Sequence, residues 1–268
     1  MEIIDAHIHS LPCGIMCGGS VDVTYDKVIE GMEEQRIKRG IFVPINDISW
    51  QPVDEMNDYM VEVINKNKNI VGFIDIDISK MHFYNGIINL ENNIKKLVKL
   101  GLKGIKVHPQ NLGVNGDDWR LMPIYRLAGE LNIPVMIHCH PGSCPGTIDN
   151  SNPKYLEKMV RVFHKTKFII SHFGGVLYFD YMPWLNHENV YFECSGILEA
   201  LKKHYSLDKI RAIFEEIGYE KLFFGSDFPV VDLNAQIEIF KELVPLKFHE
   251  DVFSKNILKF GEEFGWWK

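Results

Sequence analysis

The chain has 268 residues, 46% of them hydrophobic and 24% charged, with a formal net charge of -7. Its length is close to the roughly 250 residues of a (β/α)₈ barrel and supplies a core that needs no disulfide staple. The acidic balance offers no domain-wide basic field to gather phosphates, so no nucleic-acid partner is expected. No apolar run approaches the ~18 residues of a membrane span, so no membrane partner is expected either.

The N-terminal Met1-Glu2-Ile3-Ile4-Asp5 reads as the start of a strand with no basic segment ahead of it. No secretory signal is therefore expected, and the expected location is cytoplasmic. The cysteines are odd in number and irregularly spaced, which fits free thiols in a reducing compartment. Eight β-rich runs follow in order: 3–9, 40–45, 70–76, 104–108, 133–139, 167–172, 190–194 and 221–226. Pro134-Val135-Met136-Ile137 and Phe168-Ile169-Ile170 are near-continuous apolar runs, the pattern of strands buried on both faces of a parallel sheet.

Amphipathic helices are predicted between the strands. Helix 24–37 opens on Thr24-Tyr25-Asp26 as its cap and places Val28, Ile29, Met32 and Ile37 toward one side. Helix 89–100 does the same with Ile94, Leu97, Val98 and Leu100, and Gly101 is its stop signal. Helices 123–131 and 155–164 repeat the theme. Alternating β and α predicts an α/β fold with a parallel sheet, and eight units favour closure into a TIM barrel. No linker rich in Pro, Gly or Ser interrupts the chain, so residues 1–268 are read as one domain.

Residues two apart on a strand share a face, so Asp5, His7 and His9 are expected to point together into the barrel. Two imidazoles at i and i+2 can converge on one cation. Alone, a His-x-His pair is equally well a core or surface pair. Its company gives it weight: His138 follows the fifth predicted strand, His172 the sixth and Asp227 the eighth. Barrel enzymes build their active sites at that end of the strands.

The set Asp5-Ala6-His7-Ile8-His9, Ile137-His138-Cys139-His140, Ser171-His172-Phe173-Gly174-Gly175 and Phe224-Gly225-Ser226-Asp227-Phe228-Pro229 resembles the amidohydrolase superfamily. More narrowly it resembles the branch that contains aminocarboxymuconate-semialdehyde decarboxylase. Gly104-Ile105-Lys106-Val107-His108-Pro109 and the closing Asn256-Ile257-Leu258-Lys259-Phe260 resemble that branch too, so the likeness spans nearly the whole chain. It implies that His7, His9 and His138 coordinate a divalent metal. Asp227 would complete the site as a ligand or as the general base on metal-activated water. His172 would act as acid/base or, in binuclear members, as a ligand of a second metal. The cofactor expected is one ion per site, Zn²⁺ first and Mn²⁺ or another divalent ion as alternatives, because His/Asp shells suit several metals.

Other residues are weighed on both readings. Lys106 stands where some amidohydrolases carry a carboxylated lysine that bridges two metals; a substrate-facing or ion-paired lysine is the expectation here. His140 is expected as a loop histidine, with a substrate contact as the alternative. Glu193 is read evenly as a holder of a ligand histidine or substrate group and as a barrel-rim carboxylate. Cys13 and Cys17 are read as free thiols in the loop over the site. Asn46, His82, Trp119 and Trp184 are expected to serve loop packing. His164, His187, His204 and His249 read as surface residues, and Trp266-Trp267 as an anchor for the C-terminus.

The leading functional expectation is hydrolysis of an amide, ester or lactone-like bond of a small-molecule substrate by metal-activated water. The alternative is non-oxidative decarboxylation of an aromatic or unsaturated carboxylic acid. A decarboxylase wants an arginine to hold a carboxylate bidentately. Of Arg36, Arg39, Arg120, Arg126, Arg161 and Arg211, only Arg120 lies on a loop after a predicted strand, which favours hydrolysis. A phosphoesterase of the polymerase-and-histidinol-phosphatase type would need more His and acidic ligands. A barrel that has lost catalysis would not keep this set of side chains. Substrate identity and assembly into a homo-oligomer are left open by the sequence.

Overall fold

A computed structural model of the chain describes residues 1–47, 49–79, 81, 84–141 and 148–267; His82 and Cys144 lie outside the described residues. Eight parallel strands form a (β/α)₈ barrel: Ile4–Ile8, Arg39–Phe42, Ile70–Gly72, Ile105–Val107, Val135–His138, Phe168–Ser171, Val190–Glu193 and Leu222–Phe223. The first three pair in one ladder and the last five in another. Single bridges join the two, Ile74 with Ile105 and Ile8 with Phe228. Backbone bonds reinforce both joints. Ile74 N donates to Gly104 O at 2.8 Å and Lys106 N to Ile74 O at 3.0 Å, while Ala6 N donates to Phe224 O and Asp227 N to His7 O, each at 2.9 Å.

Most ladders are shorter than the β-rich runs that announced them. The eighth run was expected over 221–226, yet Lys221 closes the 3₁₀ turn Tyr219–Lys221, and from Phe224 on the backbone bonds the first strand across the joint. Helix 24–37 is Tyr25–Glu34, and the chain leaves it through Arg36 at φ 59°. Thr24 occupies the cap position, but its hydroxyl donates to Asp22 Oδ1 at 2.8 Å and caps nothing. Helix 89–100 starts earlier, at Tyr84, and runs to Lys99, with Gly101 at φ 109° beyond it. Helix 155–164 is Pro153–Val162; Asn152 caps it by accepting from Lys154 N at 3.0 Å, and proline at the first position sacrifices no hydrogen bond.

Two apolar layers result. Ile4, Ala6, Ile41, Val43, Val71, Phe73, Met136, Ile169 and Phe223 fill the barrel interior together with Ile257, Phe260, Phe264 and Trp266 of the C-terminal segment. Helix Asn256–Phe264 and Trp266 thus stopper the end where the strands begin. Trp266 Nε1 donates to Lys103 O at 3.3 Å and Trp267 Nε1 to Asn69 O at 2.8 Å, both acceptors lying just ahead of strands. The C-terminus is anchored as expected. With that end plugged by hydrocarbon, the interior polar side chains gather at the opposite mouth. Among the described residues no helix is long and apolar enough to cross a membrane.

Candidate metal centre

The first strand does not keep the simple alternation read from its sequence. Its pairing shifts register between Asp5 and Ile8, so Ile4 and Ala6 pack inside the barrel while Ile8 packs outside. His7 and His9 still converge at the mouth, but Asp5 does not join them. Its Oδ1 accepts from His7 N and Ser226 N, both at 3.0 Å, and so holds the irregular step between the first and eighth strands. Bulges of this kind re-aim side chains beside active sites. Burial pushes the Asp5 carboxyl up from 3.8 to about 7.

Three ligand atoms meet where the first and eighth strands end. Asp227 Oδ1 lies 3.0 Å from His9 Nε2 and 3.6 Å from His7 Nε2. His9 Nδ1 is 2.9 Å from the Val43 carbonyl, which can only accept. Nδ1 therefore donates to that carbonyl, and Nε2 faces the Asp227 carboxylate. Asp227 is itself ionised: burial raises its carboxyl, but the His9 hydrogen bond and then the nearby His172 and His7 hold it well below the carboxylate range. His7 is neutral, pushed down to about 3 by burial first and Lys106 second. Two imidazoles and a carboxylate whose lone pairs point at one another make a donor set suited to Zn²⁺ or Mn²⁺.

Behind this triad a second layer fixes the rings. Glu193, fully buried at the end of the seventh strand, lies with Oε1 2.8 Å from His7 Nδ1. It also accepts from His172 N at 3.3 Å and, through Oε2, from Ser195 N at 2.7 Å. Burial alone would raise its carboxyl; contact with His7, then His172 and Lys106, outweighs burial and holds it below the carboxylate range. His172 Nδ1 is 2.9 Å from the Ser195 carbonyl and 3.0 Å from Ser195 Oγ, so its proton sits on Nδ1 and its Nε2 carries a lone pair. Burial lowers the His172 pKa, which keeps the ring neutral. His7, His172 and Glu193 form a second cluster of ligand atoms within 4.8 Å of one another, sharing His7 with the first.

The other predicted residues fall around this centre. The His138 ring stacks on His108 at 3.6 Å between centroids and meets His172 edge-on at 4.5 Å. Its Nε2 is 2.8 Å from the His140 carbonyl, which puts its proton on Nε2, and its ligand atoms do not fall within the two clusters. His140 is half-buried, 5.9 Å from the His172 ring, and burial pushes it down to about 4. Lys106 is buried with Nζ 3.4 Å from His7 Nε2. Cys13 and Cys17 are exposed free thiols in a small hairpin of Ile15–Met16 and Val21–Asp22 after the first strand. Asn46 is buried against Asp75, whereas Trp119 and Trp184 are exposed. His164 and His204 are exposed; His187 and His249 are half-buried.

Sequence reasoning missed Ser195, which bridges His172 to His7 at 3.0 and 3.2 Å; its only signal is its place two residues beyond Glu193. It missed the glycines as well. A Cβ on Gly225 would sit 2.6 Å from Glu193 Oε2, and one on Gly196 would sit 2.7 Å from Asp227 Oδ2. Both carboxylates occupy space that only glycine leaves. Nor was strain visible: Asp227 at φ 71° and His172 at φ 61° are non-glycine residues in left-handed backbone, a conformation that clusters at functional sites.

The family model for amidohydrolases matches residues 4–260. The chain belongs to the amidohydrolase family. No curated protein matches the sequence. Among solved structures, this amidohydrolase is similar to a TIM-barrel protein from Bordetella bronchiseptica, at 16% identity and a TM-score of 0.79, over 99% of this chain and 100% of that one. It is similar over 99% and 100% of the two chains to a probable 2-pyrone-4,6-dicarboxylic acid hydrolase from Acinetobacter baumannii with citric acid bound, at 20% identity and a TM-score of 0.69. A dihydroxybenzoic acid decarboxylase from a Polaromonas species, with bound manganese and 2-nitroresorcinol, matches at 15% identity and a TM-score of 0.73 over 98% and 97%. At these identities the likeness shows the fold.

Proposed function

We propose that this amidohydrolase is a metal-dependent hydrolase that cleaves an amide, ester or lactone-like bond of a small molecule. The observation that carries the reading is the convergence of His7 Nε2 and His9 Nε2 on Asp227 Oδ1, at 3.6 and 3.0 Å, with ligand atoms of the three residues within 4.8 Å of one another. These three would hold one divalent cation, Zn²⁺ or Mn²⁺. His138 is the remaining ligand candidate, because its ring adjoins His172, whose ring adjoins His7 at 4.9 Å. A cation held there would polarise a substrate carbonyl and lower the pKa of water toward ~7.

The chain's own residues supply the proton traffic. Asp227 has an ionised carboxylate, with 17% of its side chain exposed at the mouth, and accepts the proton of the attacking water. His172, with its proton on Nδ1, presents Nε2 as an acceptor. It would take over from Asp227 the proton removed from water and deliver it to the leaving atom of the cleaved bond. Lys106, at the base of the cluster, offsets the negative charge of Glu193 and is read as a paired lysine rather than a bridging carbamate.

The arginines favour hydrolysis over decarboxylation. Arg120, the one arginine that follows a strand on the site side, spends its fork on Asp118 at 2.8 and 2.9 Å. Arg39 faces Glu2, Arg126 faces Glu91 and Glu130, Arg161 faces Glu157, and Arg211 donates to the Leu243 and Glu242 carbonyls. Arg36 ends the first helix, ahead of the second strand and thus on the far face of the barrel. The test is a panel of amides, esters, lactones and hydroxybenzoates, given to chelator-treated protein with and without added Zn²⁺ or Mn²⁺. Metal-restored hydrolysis, lost in Asp227→Asn, is the expected result. Release of carbon dioxide, or turnover indifferent to chelation, would overturn it.

A further inference from the structure

We propose that Glu193 is the positioning residue of the metal centre: it fixes the Nδ1–H tautomer of His7 and thereby aims Nε2 at the point shared with His9 and Asp227. The proposal rests on the metal reading above, but its core is a statement about one ring.

Two neighbours of His7 agree on where its proton lies. On one side Lys106 Nζ stands 3.4 Å from Nε2. With Lys106 as the donor in that contact, Nε2 is the acceptor and offers a lone pair. A carboxylate oxygen accepts, so the 2.8 Å contact of Glu193 Oε1 with His7 Nδ1 puts a proton on Nδ1. Ser195 Oγ, 3.2 Å from the same nitrogen, is a secondary acceptor. A carboxylate behind a ligand histidine fixes the tautomer, orients the ring and raises the basicity of the ligand nitrogen.

Glu193 is better placed to do this than to bind the ion itself. Its two oxygens already accept from His7 Nδ1, His172 N and Ser195 N, so direct ligation would compete with bonds to three buried donors. The carboxylate is wedged as well as bonded, since Gly225 leaves room for it and any side chain there would press on Oε2 and on His7 Cβ, 2.6 and 3.2 Å from the added carbon. The same bonds to His172 N and Ser195 N tie the sixth and seventh strand ends to the first.

Two measurements test this. The first uses histidine-selective ¹⁵N NMR on metal-free wild-type protein, with the His7 signals assigned by their loss in His7→Gln. Protonated Nδ1 and bare Nε2 are expected; a proton on Nε2 would overturn the proposal. The second measures Zn²⁺ affinity by competition with a chromogenic chelator. Glu193→Gln turns an amide NH₂ toward a donor, either Ser195 N or His7 Nδ1, and should weaken Zn²⁺ binding 10- to 100-fold. The stoichiometry should stay at that of the wild type. Unchanged affinity, or the loss of one of two ions, would overturn the positioning role, the second by making Glu193 a ligand. If the variant does not fold, the wild-type tautomer decides. Wild-type protein that binds no Zn²⁺ would sink the metal reading, and the His7 tautomer would still judge the role of Glu193.

Discussion

Asp75 stands at the end of the third strand with 3% of its surface exposed. Its Oδ1 accepts from Asn46 Nδ2 and from Ile76 N, and Asn57 pairs with its backbone at 2.9 and 3.0 Å. These donors favour the charged form, yet burial outweighs them and pushes the carboxyl from 3.8 up to about 7. Between those values the unfolded chain has ionised Asp75 while the folded chain has not. Stability from this group is therefore full below pH 3.8 and is lost as the pH rises toward 7. The window spans about three pH units at ~1.36 kcal/mol each, or about 4 kcal/mol. Asp75→Asn removes the ionisation and keeps a similar shape. Urea unfolding of chelator-treated wild type and variant, from pH 4 to 8, is the assay. The wild type should lose about 4 kcal/mol relative to the variant across that range. Parallel curves would refute the reasoning, because they would mean that Asp75 ionises alike in both states.

Three further perturbations probe other parts of the fold. Trp266→Ala empties the stopper of the barrel and should cost ~3–5 kcal/mol, read as a fall of roughly 10 °C in Tm; a change under 2 °C would show that the plug is dispensable. Gly225→Ala drives a methyl against Glu193 and His7 and should cost ~1–3 kcal/mol in urea unfolding while weakening Zn²⁺ binding. Intact affinity would mean that the pocket around Glu193 is not tight. Arg120→Gln removes a part-exposed pair with Asp118, so it should change stability by less than about 1 kcal/mol and leave turnover of a hydrolysed substrate unaltered. A tenfold fall in kcat/KM would place that arginine on the substrate.

The architecture was legible because its signals are periodic and local. Runs such as Phe168-Ile169-Ile170 announce buried parallel strands, and eight such runs leave few alternatives to a barrel. The histidines and Asp227 were legible because strand ends set their positions within a residue or two. What escaped the sequence depends on contacts across strands. The register shift after Asp5 arises from pairing with two different neighbours, and no alternation rule foresees it. Glu193 was read evenly between two roles, since only the folded chain brings it to His7 from the opposite side of the barrel. Ser195 and Gly225 acquire meaning from the atoms they face. His138 was placed correctly at a strand end, but its stack on His108 and its bond to the His140 carbonyl turn Nε2 away from the other ligand atoms.

The central claim is that His7, His9 and Asp227 hold a divalent cation. Elemental analysis of protein purified without chelator, alongside His9→Ala and Asp227→Ala, tests it most directly. About one Zn²⁺ or Mn²⁺ per chain is expected in the wild type, against little in either variant that still shows the far-UV signature of a folded barrel. Wild-type protein free of divalent metal, or variants that retain the full complement, would contradict it.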